Sequence, residues 1–256
     1  VLGVRAGSVF TFGAATAGEE TAPGQIAGYT LRNTYRIDQV DVATRVYCLA
    51  GDPVAHSLSP LLMNTAFRRE NVNAVYLTLH AKTMDDLLAC VRDIPIRGIS
   101  VTMPYKEEIL KHLDNTDPVS SKIGACNTVI RGQDGNLYGF NTDVAGVTRP
   151  LEQRMVIANS KVLVLGAGGA ARAAVFGLKE RQAEVYIMNR TAGAGKRLAK
   201  QARAKFIGRS MLKKLAFDVI INATPVGMKG GGGRLPLKDR EINARVVMDM
   251  VYTPAE

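Results

Sequence analysis

Lys161-Val162-Leu163-Val164-Leu165-Gly166-Ala167-Gly168-Gly169-Ala170-Ala171 decides the fold of this 256-residue chain. Five strand-forming residues run into the pattern GxGxxA, and a helix-forming stretch, Ala170 to Arg181, follows at once. In such a turn the first glycine allows the tight reversal, and the second lets backbone amides approach a pyrophosphate. A small sixth residue lets helix and strand pack closely. The helix N-terminus adds amides with no intrahelical partner and the positive end of its dipole. A second apolar strand, Glu184 to Met188, comes at the distance a dinucleotide-binding βαβ unit needs.

Working outward, that second strand ends in Asn189-Arg190-Thr191, where an NAD-binding unit would carry an acid for the ribose 2′-hydroxyl. No acid stands there. Arg190, Thr191 and Arg172 offer charge-assisted and hydroxyl hydrogen bonds to a 2′-phosphate instead, so the residues favour NADP. The plainer alternative leaves Arg190 as a solvated residue at a strand end. The candidate cofactor residues are Gly166, Ala167, Gly168, Gly169, Ala170, Arg172, Asn189, Arg190, Thr191 and Thr224. Thr224 lies in Asn222-Ala223-Thr224-Pro225-Val226-Gly227-Met228, a loop after the apolar strand Val219 to Asn222. That loop reads equally as a wall of the nicotinamide site or as a plain surface turn. Helix Ala192 to Ala202 and strand Val246 to Met250 complete the unit.

Upstream, strands and helices alternate: Val46 to Ala50, Pro60 to Glu70, Ala74 to His80, Met84 to Arg92 and Gly98 to Thr102. This predicts further βαβ units and a mainly parallel sheet. A hairpin, Asn127 to Arg131 and Leu137 to Phe140, turns at Asp134-Gly135. A helix, Asn141 to Gln153, leads to the second unit. Chemistry-bearing side chains gather where strands end. Ser57 and Ser59 precede Pro60 at a predicted helix start, where they either cap the helix or grip a carboxylate. His56 beside them reads as a packing or turn residue before it reads as a base. Thr102 and Lys106 follow the third strand. Lys106 is either a solvated lysine or a proton donor to a carbonyl oxygen, with Asp143 in Asn141-Thr142-Asp143 as its candidate partner.

Composition narrows the class. With 46% hydrophobic and 22% charged residues the chain has the content of a globular protein of one or two domains. No apolar run approaches the length of a membrane span, and no signal peptide opens the chain, so neither membrane insertion nor secretion is expected. Cys48, Cys90 and Cys126 are odd in number and widely spaced, without CxxC pairing. They suggest no disulfide frame and no metal site, and a cytoplasmic setting fits them. The net charge of +10 is spread through amphipathic segments without a nucleic-acid motif. A phosphate-bearing cofactor and an anionic small molecule suit that field, and nucleic acid is not expected as a partner.

Taken in order, GDPVAHSLSP, SVTMPYKE, GACNTV, GFNTD, GAGGAAR, NRT, INATPVGM and DMVYTP, from about residue 45 to 256, resemble the shikimate dehydrogenase family. The resemblance implies an α/β fold of two domains, an α/β substrate-binding domain and a Rossmann-type NADP-binding domain. It also implies reversible NADPH-dependent reduction of 3-dehydroshikimate to shikimate, a step toward aromatic amino acids. A quinate-preferring enzyme and a non-catalytic NADP-binding module are the alternatives. Carried over by position, Ser57 and Ser59 would hold the substrate carboxylate, and Thr102, Asn127 and Asp143 its hydroxyls. Lys106 would transfer the proton with Asp143 orienting it, and Tyr252 would lie near the substrate.

Ser100 stands where many single-function members carry Asn, a departure that looks like the bifunctional branch fused to a dehydratase. Gly7 to Gly13 and Thr21-Ala22-Pro23-Gly24-Gln25 resemble the end of a type I dehydroquinate dehydratase. That chemistry needs a Schiff-base lysine, and no lysine precedes Lys82, so this chain is not expected to perform it. The expected divisions are therefore residues 1–42 as a dehydratase remnant, 43–153 as the catalytic domain and 154–256 as the NADP-binding domain. Members of the family continue beyond DMVYTP with further helices, which marks this chain as an expected fragment of lower stability or activity.

Overall fold

A computed structural model of the protein describes residues 1–22, 24–54, 57–228 and 236–251. The chain forms two compact units, Val1–Thr116 with Cys126–Phe140, and Asp117–Ala125 with Asn141–Glu256. In chain order the elements are α1 (Leu2–Arg5), α2 (Gly28–Asn33), β1 (Arg45–Gly51), α3 (Ser59–Arg69), β2 (Ala74–His80), α4 (Met84–Asp93), β3 (Ile96–Val101), β4 (Asn115–Thr116) and α5 (Pro118–Ile123). There follow β5 (Thr128–Arg131), β6 (Leu137–Phe140), α6 (Asp143–Glu152), β7 (Lys161–Leu165), α7 (Gly169–Glu180), β8 (Glu184–Met188), α8 (Ala192–Ala202), β9 (Lys205–Phe206), β10 (Phe217–Asn222) and β11 (Ala244–Asp249). The α/β class is as the sequence predicts.

The first unit carries a six-stranded sheet ordered β2-β1-β3-β5-β6-β4. β1 pairs in parallel with β2 and β3, whereas β5 runs antiparallel to both β3 and β6. The sheet is therefore mixed where the hairpin joins it. Period-two alternation sorts the side chains of β1: Val46, Cys48 and Ala50 enter the main core with Val75, Leu77, Leu87 and Val91, and Leu49 packs on the other face with Tyr76 and Val54. α4 starts with a capping box, Thr83 accepting from the Asp86 amide and Asp86 from the Thr83 amide. Residues 1–42 cluster with this unit: Tyr35 is in its main core, and Val1, Leu2 and Ile26 pack against it.

The second unit holds a five-stranded parallel sheet, β11-β10-β7-β8-β9. β7 is buried on both faces, with Val162 and Val164 in a core shared with α6, α7 and α8, and Leu163 and Leu165 in one shared with Ile220, Phe217 and Leu237. A strand covered on both sides reads as a continuous apolar run, which is how Val162 to Leu165 reads. The boundary expected after residue 153 is displaced. Val147 and Leu151 of α6 are buried in the same core as Ala173 and Val175 of α7, and Ile123 and Ala125 join them, so 117–125 and 141–153 belong to the second unit.

Among the described residues no helix is long and apolar enough to cross a membrane. No group of three His, Cys, Asp or Glu among them is placed to hold a metal ion.

Candidate active site

In the first unit the polar residues gather at the carboxyl ends of β1 and β3. Gly51 closes β1, and a Cβ there would lie 2.3 Å from Thr102 Cγ2 and 2.6 Å from the Met103 carbonyl oxygen, so only glycine admits the Thr102 segment this closely. Backbone bonds then fix that segment: Thr102 N–H donates to Ala50 O at 2.9 Å, Asp52 N–H to Met103 O at 2.9 Å, and Val101 N–H to Asn127 O at 2.8 Å. Lys106 follows in a run of turns, and its carbonyl accepts from the Cys126 amide at 2.7 Å. Tyr105, buried at 3% exposure, donates its hydroxyl to Ala81 O at 2.8 Å. Thr102, Lys106 and Asn127 are thereby brought together, on backbone anchored independently of the ammonium group.

Ser57 and Ser59 are half-buried at the opening of α3. The Ser57 hydroxyl donates to Ser59 Oγ at 3.1 Å, and the Ser59 amide donates to Ser57 Oγ at 3.2 Å. The N-cap residue Leu58 makes no side-chain cap, and Ser57 instead takes the amide of the first helical residue, so the two serines form a linked pair at the helix start. His56 and Tyr252 lie outside the described residues.

In the second unit Asp143 is the first residue of α6, and its amide donates to Asn141 Oδ1 at 3.0 Å. Asn141, buried at 9%, donates from Nδ2 to Ala125 O at 2.8 Å. Asn141 thus sets the helix start that presents Asp143. A buried Asn just ahead of a helix start is a signal that sequence reasoning misses here.

The glycine loop matches its expectation closely. Gly166 has φ 115°, and a Cβ on it would sit 2.8 Å from the Ala223 carbonyl oxygen and 3.3 Å from Thr224 Cγ2. The Thr224 loop is therefore packed against the glycine turn and is not a detached surface turn. Its shape comes from Asn222, 3% exposed, whose Oδ1 accepts from Thr224 N–H at 3.1 Å and Thr224 Oγ1 at 2.7 Å while Nδ2 donates to Val226 O and Asp249 Oδ1. Gly168 caps α7, and a Cβ there would meet nothing within 4 Å, which leaves open space over the first amides of the helix. Asn189 donates from Nδ2 to Thr191 O at 2.9 Å, and Arg190 and Thr191 are exposed beyond β8. An anionic dinucleotide fits this donor set, with amides for the pyrophosphate and Arg190 for a 2′-phosphate.

Arg172 has partners that the sequence does not announce. The sequence puts it beside a 2′-phosphate, but its Nε donates to Ile123 O at 2.7 Å and its Nη1 to Gln201 Oε1 at 3.1 Å. These bonds tie α7 to α5 and to the last turn of α8, so Nε and Nη1 serve packing between helices.

Gly166→Ala tests the turn directly. The left-handed φ together with the contact to Ala223 is expected to cost about 1–3 kcal/mol, read as a lowered melting temperature of several degrees. Loss of NADP+ affinity should accompany it, measured by titration; an unshifted melting temperature would contradict the turn geometry.

A family model described as the shikimate dehydrogenase substrate binding domain matches residues 49–129, and one described as shikimate / quinate 5-dehydrogenase matches residues 151–227. The shikimate dehydrogenase (NADP(+)) of Syntrophobacter fumaroxidans is 41% identical over 83% of this chain and 76% of its own length. The bifunctional 3-dehydroquinate dehydratase/shikimate dehydrogenase, chloroplastic, of Arabidopsis thaliana is 33% identical over 99% of this chain, which spans 45% of that relative. Among solved structures, shikimate 5-dehydrogenase from Thermus thermophilus in complex with NADP(H) and shikimate matches with TM-score 0.74 at 32% identity, covering 82% of this chain and 80% of that one.

Proposed function

The chain belongs to the shikimate dehydrogenase family, and on that premise we propose that it interconverts 3-dehydroshikimate and shikimate with NADP(H), Lys106 moving the proton at the ring oxygen. What supports this reading is the adjoining backbone of Thr102, Lys106 and Asn127 beyond β3, with the linked hydroxyls of Ser57 and Ser59 on the segment that leaves β1, groups of the kind a hydroxylated carboxylate needs. The Ser57 and Ser59 hydroxyls bind the substrate carboxylate. Thr102, Asn127 and Asp143 bind the ring hydroxyls. NADPH supplies the hydride for reduction. Lys106 Nζ donates a proton to the developing alkoxide and recovers it in the reverse direction, so no free alkoxide forms. By resemblance of GFNTD and DMVYTP to the family's motifs, Asp143 is assigned as the partner of Lys106 and Tyr252 as a further substrate residue.

The test is NADP+ reduction followed by absorbance with shikimate, with quinate and with NAD+ in parallel. Shikimate with NADP+ should give the highest kcat/KM. Preferred turnover of quinate would overturn the substrate while leaving the reaction class, and absence of turnover with either acid would overturn both.

Residues 1–42 we assign to the end of a dehydratase-like domain in a bifunctional parent. The Gly7 to Gly13 and Thr21 to Gln25 patterns support this, as does the alignment of the Arabidopsis relative through this stretch. Thr21 donates to Gln25 Oε1 from both its amide, at 2.7 Å, and its hydroxyl, at 3.1 Å. Val9, Phe10 and Phe12 are 94%, 68% and 78% exposed, apolar surface that a folded neighbour would bury. Cysteines few, odd in number and widely spaced, Cys48, Cys90 and Cys126, suit a reducing compartment such as the cytoplasm.

A further inference from the structure

The hydroxyls of Ser57 and Ser59 are useful only if the opening turn of α3 is held still. No side chain caps the helix at Leu58, and in its first turns only Pro60 is buried among the apolar residues, while Leu61, Leu62 and Met63 are 53%, 65% and 38% exposed, so apolar burial holds this turn at a single ring. One side chain in the helix bonds outward from it at depth. Asn64 is 5% exposed and uses all three of its strongest bonding directions: Nδ2 donates to Pro60 O at 2.8 Å and to Tyr76 O at 2.9 Å, while Oδ1 accepts from Tyr76 N–H at 2.8 Å.

Tyr76 lies on β2, the edge strand of the sheet, whose one neighbour is β1. Backbone groups on the open side of an edge strand need partners from elsewhere. The Asn64 amide satisfies both the N–H and the C=O of Tyr76, in effect a one-residue neighbouring strand, and its remaining hydrogen holds the Pro60 carbonyl. Pro60 directly follows Ser59. The chain of bonds therefore runs from the sheet through Asn64 to the turn that carries the serine pair.

The structure assigns Asn64 as a positioning residue for the substrate carboxylate, acting through Ser57 and Ser59. The assignment rests on the reading that those serines bind the carboxylate. A buried Asn that only stabilised the fold would lower the melting temperature without selecting one ligand. A positioning residue changes shikimate binding and spares the cofactor.

The experiment compares Asn64→Ala and the near-isosteric Asn64→Asp, which keeps the acceptor and loses both donors, with Ser59→Ala and the Asn64→Ala/Ser59→Ala double variant. Shikimate affinity is measured calorimetrically without cofactor, and KM and kcat by NADP+ reduction. Both Asn64 variants should weaken shikimate binding and raise its KM about ten-fold, as expected for a loosened pair of hydrogen bonds, with KM for NADP+ and kcat changed less than about three-fold. In the Ser59→Ala background, Asn64→Ala should add less than about two-fold, because the coupled contact is already gone. A fall in melting temperature with shikimate affinity intact would overturn the assignment. So would equal effects in both backgrounds, or failure of both Asn64 variants to fold, since each makes the residue purely structural. If Ser59→Ala alone leaves shikimate binding unchanged, the serine reading itself fails, an outcome distinct from the others.

Discussion

Lys106→Ala is expected to lower kcat for shikimate oxidation by about 100- to 10,000-fold, the range contributed by a positioned general acid or base, with KM for NADP+ within about two-fold of the unaltered enzyme. The loss should be catalytic and not structural. The segment is held by the Tyr105 hydroxyl on Ala81 O and by the Cys126 amide on Lys106 O, neither of which involves the lysine side chain. The melting temperature should therefore hardly move. Lys106→Arg separates two possible roles of the cation. A guanidinium keeps the charge that stabilises a developing alkoxide but does not release a proton at neutral pH. If proton transfer is the contribution, the arginine variant stays nearly as slow as the alanine one. Substantial recovery by arginine would reduce Lys106 to electrostatic stabilisation, and unchanged turnover in Lys106→Ala would remove it from the mechanism.

How far the sequence discloses this molecule depends on whether a feature is local. The run Val162 to Leu165, the glycine turn and the helix after it are fixed by patterns within about twenty residues, and β7, α7 and β8 appear where those patterns put them. The stretch between Lys106 and Asn127 carries no such pattern. Its pieces, α5 of six residues and β4 of two, are too short for periodicity to register, although Asp117-Pro118 is a helix-start signature: Asp117 caps α5 by accepting from the Ser120 amide at 3.1 Å.

Side-chain direction is the harder quantity. Arg172 sits in the first turn of the cofactor helix by sequence, yet it turns to Ile123 and Gln201, which are 49 and 29 residues away along the chain. Only the packing of α5 and α8 supplies those partners. Three asparagines, Asn64, Asn141 and Asn222, are silent in the sequence for a related reason. Each is a polar residue at 9% exposure or less whose meaning lies in the backbone groups it satisfies, and composition does not show which groups those are. Together they hold the turn of Ser59, the helix start of Asp143 and the loop of Thr224, so they are the supports on which the legible residues stand.

Arg190→Asp is expected to raise KM for NADP+ about 100-fold while leaving KM for NAD+ unchanged or lower. Two effects combine. One hydrogen bond to a charged group, worth about 1.5–3 kcal/mol, is lost, and a carboxylate is placed where the ribose 2′-phosphate would lie. The second effect acts on NADP+ alone, and an acid at this end of β8 is the feature that accepts a 2′-hydroxyl. Exposure argues for a smaller figure, since Arg190 is open to solvent and its field is screened over about 8–10 Å at ordinary ionic strength. The discrimination should accordingly shrink as salt is added, whereas a steric effect would not. The loop itself should survive the change, because Asn189 holds the Thr191 carbonyl at 2.9 Å without help from the guanidinium. Arg190→Ala, which removes the bond without adding the repulsion, should fall between the two, near ten-fold by the lower end of the same range. Equal shifts for NADP+ and NAD+ in both variants would return Arg190 to an ordinary solvated residue at a strand end, and the cofactor preference would then have to come from Thr191 and Asn189 alone.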